Sequence, residues 1–111
     1  SHSQVYKDVG FSIAYALEGE KGSLRKALCL WDAKCGRSME IYTTQPSLQV
    51  YTAYLMDGRD YGKNGIPYCS GAGIALEPQG FPDAVHHPEF PSILLGANEK
   101  YEVITEYHFK Y

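Results

Sequence analysis

The sequence predicts an all-β protein built from antiparallel sheets. Three observations point there. Aromatic and β-branched residues recur in short runs that alternate with period two. Turn-forming pairs separate those runs at short intervals. No stretch keeps apolar residues at i, i+3, i+4 and i+7 over three turns, the spacing a long helix needs.

Taken in order, the first strand is expected over residues 11–17, with turn chemistry following from Gly19 to Ser23. Residues 27–31 form the second, closed by Cys35-Gly36, and residues 39–44 the third, ended by Gln45-Pro46. The fourth runs over 48–54, with Gln49 on the face opposite Leu48 and Val50. Residues 56–68 read as a Gly- and charge-rich loop in which Asn64-Gly65 is a strong turn signal. An apolar strand over 73–77 is closed by Glu77 and stopped by Pro78. Four prolines between 77 and 91 preclude a regular ladder there. In the last strand, 101–109, positions 103, 105, 107 and 109 carry one face, while Glu102, Glu106 and His108 wet the other.

A chain of 111 residues is one domain at most. At this size roughly 60–70% of the extended chain's surface is buried on folding, enough for a core without staples. A net charge of −3 with no Lys/Arg cluster leaves no footprint for phosphate backbones, so nucleic acid is excluded as a partner. No apolar run reaches the roughly 20 residues of a membrane span. Cys29, Cys35 and Cys69 are odd in number and lack a CxxC pair or a zinc-finger histidine, so they are expected as reduced thiols. With no apolar signal segment and no N-x-Ser/Thr acceptor, the cytosol is the expected compartment. Ser1-His2-Ser3 could be a tag remnant and is left out of the fold reasoning.

Among residues that could carry chemistry, Glu77 leads. A carboxylate at a strand's end, beside rigid Pro78, can be held in fixed geometry facing a cleft; partial dehydration would raise its proton affinity toward a general base's range. An exposed, solvated glutamate at a strand terminus is the plainer reading. Gln49, polar between apolar neighbours, can orient a hydroxyl-rich ligand with a donor and an acceptor, or simply face solvent. His86-His87 invites a metal, but adjacent side chains on an extended chain diverge, so no metal site is expected. The ten tyrosines and Trp31 could stack on sugar rings, though most are expected as sheet core. Asp83 is expected to cap a short turn after Pro82. Gly71-Ala72-Gly73 precedes a strand rather than opening a helix, the wrong context for a phosphate loop, and no nucleophile-elbow sequence supports a serine hydrolase.

Three blocks then act together: residues 40–52, containing Pro46-Ser47-Leu48-Gln49-Val50-Tyr51-Thr52; Gly62-Lys63-Asn64-Gly65; and residues 76–84, Leu-Glu-Pro-Gln-Gly-Phe-Pro-Asp-Ala, followed by Phe90-Pro91-Ser92. In order and spacing they closely resemble the C-terminal third of the aldose 1-epimerase (galactose mutarotase) family. The likeness covers nearly the whole chain, so residues 1–111 are expected to be a single partial domain of a larger antiparallel β-sandwich, a mutarotase-like supersandwich with a sugar cleft on one concave sheet. It implies interconversion of α and β anomers of glucose or galactose without a cofactor. The family's general base falls on Glu77 and its sugar-binding glutamine on Gln49. The strand position after Gly-[FY], usually aspartate, is Ser12 here, which retains a hydroxyl but not a carboxylate for two sugar hydroxyls. Gly80 stands where a bulkier His or Asn is common. The family's acid histidine lies upstream of this chain, and His86, His87 and His108 match no family motif. The opposing readings are a non-catalytic sugar-binding or regulatory homologue, or an inactive fragment. Half a sandwich leaves open edges and apolar faces, so the chain is expected to pair with the missing N-terminal portion or to self-associate. Catalysis further requires Glu77 to point into a sugar-sized hollow with the Gln49 amide beside it.

Overall fold

The computed structural model describes residues 10–111; Ser1-His2-Ser3 lies outside the described residues. Among the described residues eight strands follow in order: β1 (Ser12–Ala16), β2 (Arg25–Trp31), β3 (Ser38–Thr43), β4 (Ser47–Tyr51), β5 (Asp57–Tyr61), β6 (Pro67–Cys69), β7 (Ala75–Gln79) and β8 (Thr105–Lys110). Single 3₁₀ turns occupy Lys63–Gly65 and Ala84–His86. The sheets are ordered β1-β4-β7, β2-β3-β8 and β5-β6. The all-β, antiparallel expectation holds.

The described residues divide into two compact units, residues 10–15 with Gln49–Glu77, and Ala16–Leu48 with Pro78–Tyr111. In the second unit β3 is the central strand. It pairs with β2 from Arg25↔Thr43 to Trp31↔Ser38, with a bulge between Lys26 and Leu28, and with β8 from Ser38↔Lys110 to Thr43↔Thr105 without a slip. Alternation puts Leu28, Leu30, Met39, Ile41, Tyr107 and Phe109 on one face. Ile41 and Thr43 are fully buried. The Thr43 hydroxyl is satisfied by Thr105 Oγ1 at 3.0 Å and the Ile104 carbonyl at 3.2 Å, so its burial leaves no orphaned polar group. On the other face Lys26 Nζ lies 2.7 Å and Lys110 Nζ 3.3 Å from the Glu40 carboxylate, and the Tyr42 and His108 rings tilt together at 4.8 Å.

In the first unit Gly10 has φ 113°, a conformation that L side chains rarely adopt, and a Cβ there would collide with Thr52 Oγ1. That close approach lets Phe11 N donate to Thr52 Oγ1 at 2.9 Å while Thr52 N donates to Phe11 O at 3.0 Å. The β5-β6 hairpin is registered Asp57↔Cys69 and Tyr61↔Pro67. Asn64 and Gly65 both have positive φ, 63° and 69°, as a tight hairpin turn requires.

Several element boundaries differ from the sequence reading. Residues 56–68 are not one loop: they hold β5 and most of β6, because charged residues alternate there on an exposed ribbon whose pairing rests on backbone bonds and the turn. Pro78 does not stop the strand at Glu77. β7 continues to Gln79, which is tolerated because β7 lies at the edge of its sheet, where a missing N–H has no ladder partner to lose. The last strand begins at Thr105 rather than at 101. No tyrosine among the described residues is buried, so the tyrosines are not core. The buried apolar set among those residues is small: Ile41, Leu48, Val50, Ala53 and Ala84.

Candidate active site

Gln49 sits mid-strand in β4 between Leu48, 1% exposed, and Val50, also buried. Alternation sends its amide to the opposite face, where it is half-buried. On that face Gln49 Nε2 donates to Ser12 Oγ of β1 at 2.7 Å. Strand pairing makes the contact possible. Thr52 N bonds Phe11 O and Leu17 N bonds Pro46 O, both at 3.0 Å, so β1 and β4 run antiparallel, and Ser12 and Ala14 fall on the Gln49 side.

Glu77 lies in the middle of β7, the neighbour of β4 on its other flank. Ser47 Oγ donates to the carbonyls of Gln79 at 2.8 Å and Gly80 at 3.2 Å. Further along, Gly71 N donates to Ala53 O at 3.3 Å and Ser70 Oγ to Tyr54 O at 3.1 Å. These contacts count in opposite directions, so β4 and β7 are antiparallel, and they differ by two residues in register, which leaves the odd positions of both strands, 49, 75 and 77 among them, on one face. Glu77 is exposed and its neighbour Leu76 half-buried, the alternation this register requires.

One face of the first unit therefore carries Ser12, Ala14, Gln49, Tyr51, Ala75 and Glu77: a carboxylate, an amide, a hydroxyl, small residues and one ring. Tyr51 was not singled out from sequence, although its place two residues after Gln49 puts it on the same face. Its hydroxyl accepts from Leu55 N at 3.2 Å and its ring meets Tyr54 edge-on at 5.5 Å, which fixes the ring. Chemically the face offers a proton acceptor beside uncharged donors and acceptors suited to hydroxyl groups. It is open, with Ser12 and Glu77 exposed.

The histidines are engaged elsewhere. Asp83 occupies the residue before the Ala84–His86 turn in a left-handed conformation, but its side chain does not cap the turn as expected; it meets His86 Nδ1 at 2.5 Å instead. His87 Nδ1 contacts Glu89 at 3.0 Å and its ring packs 5.0 Å from Phe90. His108 bonds Glu106 at 2.9 Å. Among the described residues no three His, Cys, Asp or Glu side chains converge as metal ligands. No helix among them is long and apolar enough to cross a membrane. The three cysteines are free and exposed.

Comparison with known proteins places these residues in context. The family model described as aldose 1-epimerase matches residues 1–108. The chain is 42% identical over 110 residues to galactose mutarotase of Homo sapiens, covering 97% of this chain and 31% of that protein. It is 40% identical over 111 residues to galactose mutarotase of Mus musculus, and 32% identical over 102 residues to aldose 1-epimerase of Escherichia coli (strain K12), covering 29% of the latter. The chain thus spans about a third of the length of these relatives. With the match running through nearly every residue, including the strands that bear Ser12, Gln49 and Glu77, the chain belongs to the aldose 1-epimerase family.

Proposed function

We propose that this chain is the C-terminal part of an enzyme that interconverts α and β anomers of aldohexoses, glucose or galactose. Glu77 is the general base, and Gln49 and Ser12 hold sugar hydroxyls. The observation that carries the reading is the 2.7 Å Gln49–Ser12 bond on the face that also bears Glu77. The names of the relatives, galactose mutarotase and aldose 1-epimerase, supply the reaction class. Glu77 takes the proton of the anomeric hydroxyl while an acid protonates the ring oxygen; the ring opens, the bond between the first two carbons rotates, and reclosure gives the other anomer. The acid, as the family resemblance implies, is a histidine from an upstream segment, and His86, His87 and His108 match no family motif. That segment also supplies the facing wall of the sugar hollow and covers the exposed carboxylate. No cofactor takes part. Free, exposed thiols suit a reducing compartment, the cytosol.

Polarimetry on the chain joined to its upstream segment tests the proposal. Glu77→Gln is expected to lower the mutarotation rate by about 10²- to 10⁴-fold while leaving the fold intact; an unchanged rate removes Glu77 from the chemistry. A non-catalytic sugar-binding reading is favoured by one observation, that Ser12 supplies a hydroxyl already bonded to Gln49 in place of a carboxylate. It predicts galactose binding by the joined protein with no rate above the spontaneous one.

A further inference from the structure

An amide side chain has two faces to show. Rotating Gln49 by half a turn exchanges its carbonyl oxygen for its NH₂ group, and an unrestrained amide presents both. Gln49 is not in that position, because Nε2 donates to Ser12 Oγ at 2.7 Å. The hydroxyl can accept from nitrogen and still keep its own proton, whereas it could meet Oε1 only by giving that proton up. Among the described residues, this is the hydrogen bond that joins the two side chains. Ser12 is exposed and Gln49 half-buried, so both remain within reach of a ligand.

We propose that Ser12 is a positioning residue: it holds the Gln49 amide in one orientation, leaving Gln49 Oε1 as an outward acceptor and the Ser12 hydroxyl proton as an outward donor beside it. The pair is uncharged and carries one of each. It therefore selects a ligand group that donates and accepts at one place, a free ring hydroxyl of a neutral sugar. An ether oxygen at that place accepts but cannot donate, so it leaves the Gln49 carbonyl unpaired, and a deoxy position leaves both groups unpaired. This inference rests on the sugar-site reading above and deepens it to the kind of hydroxyl read.

The test uses the chain joined to its upstream segment, labelled with nitrogen-15. In the sugar-free chain the Gln49 side-chain NH₂ signals are expected to show a hydrogen-bonded proton with slowed exchange. Ser12→Ala should bring that exchange to the rate of a solvated glutamine, and Ser12→Thr, which keeps the hydroxyl, should restore protection. Titration with galactose, and with galactose O-methylated at each ring hydroxyl in turn, then reads selectivity. One methyl ether is expected to bind about five-fold more weakly than galactose, and that difference should shrink in Ser12→Ala and return in Ser12→Thr. Gln49 signals unchanged by Ser12→Ala overturn the positioning role whatever the sugar does. An altered amide with undiminished selectivity overturns the recognition role. A protected amide that responds to Ser12→Ala in a chain that binds no galactose upholds the positioning and counts against the sugar-site reading alone.

Discussion

Gln49 draws its value from its two neighbours in sequence. Leu48 and Val50 are buried, so the β4 backbone is held firmly and the intervening amide projects from a fixed point. Replacing it with Leu keeps the volume and removes both hydrogen-bonding groups. In the joined protein Gln49→Leu is expected to raise KM for galactose about ten-fold with a smaller change in kcat, the signature of lost ground-state binding; steady-state polarimetry reads the split, and a loss confined to kcat would contradict the binding role. Gly10 matters through its backbone. Its φ of 113° and the nearness of Thr52 Oγ1 make Gly10→Ala costly, by about 2 kcal/mol or more, measurable as a lower midpoint in urea unfolding. An unchanged midpoint would mean that the Gly10–Thr52 approach is not required for folding.

The β2-β3-β8 sheet offers a test at the level of the element. Hydrogen bonding to Lys26, helped by Lys110, holds the Glu40 carboxyl below its ordinary range, and the same bond to Glu40 holds the Lys26 ammonium above its own. A depressed carboxyl stabilises the fold at pH above its unfolded value and loses that contribution as pH falls through the folded one; a raised ammonium contributes below its unfolded value and loses it as pH rises through the folded one. Stability should therefore fall both in acid and in strong alkali, and Glu40→Gln should flatten both limbs in a pH series of urea unfolding curves. Limbs unchanged in the variant would show that the pair contributes nothing.

Strands that cover a core were legible from period two alone: those read over 27–31, 39–44 and 48–54 became β2, β3 and β4. The β5-β6 hairpin was not, since neither of its faces is buried and its signal reduces to the Asn64-Gly65 turn. Proline was over-read at position 78, because sequence does not say which strand lies at an edge. Gln49 and Glu77 were marked by their places in the strands, and the resemblance gave them their roles. Their shared face, Tyr51 on it and the Ser12 bond needed the strand order.

At the scale of the whole molecule, the length of the relatives and the apolar surface belong together. In the second unit Trp31 is 68%, Phe109 62% and Tyr107 48% exposed, and a cleft of about 540 Å³ opens among Leu30, Trp31, Met39 and Phe109. Surface of this kind favours association. Sedimentation velocity on the 111-residue chain is expected to show dimers or larger species at micromolar concentration, reduced by the double change Tyr107→Ser and Phe109→Ser; a stable monomer would contradict the expectation. The sugar face lies in the other unit, and galactose titrated into the labelled protein joined to its upstream segment reads that face residue by residue. The resonances that move are expected to belong to Ser12, Gln49, Tyr51 and Glu77 together. Shifts gathered anywhere else, with those four unmoved, would show that this face is not where the sugar sits.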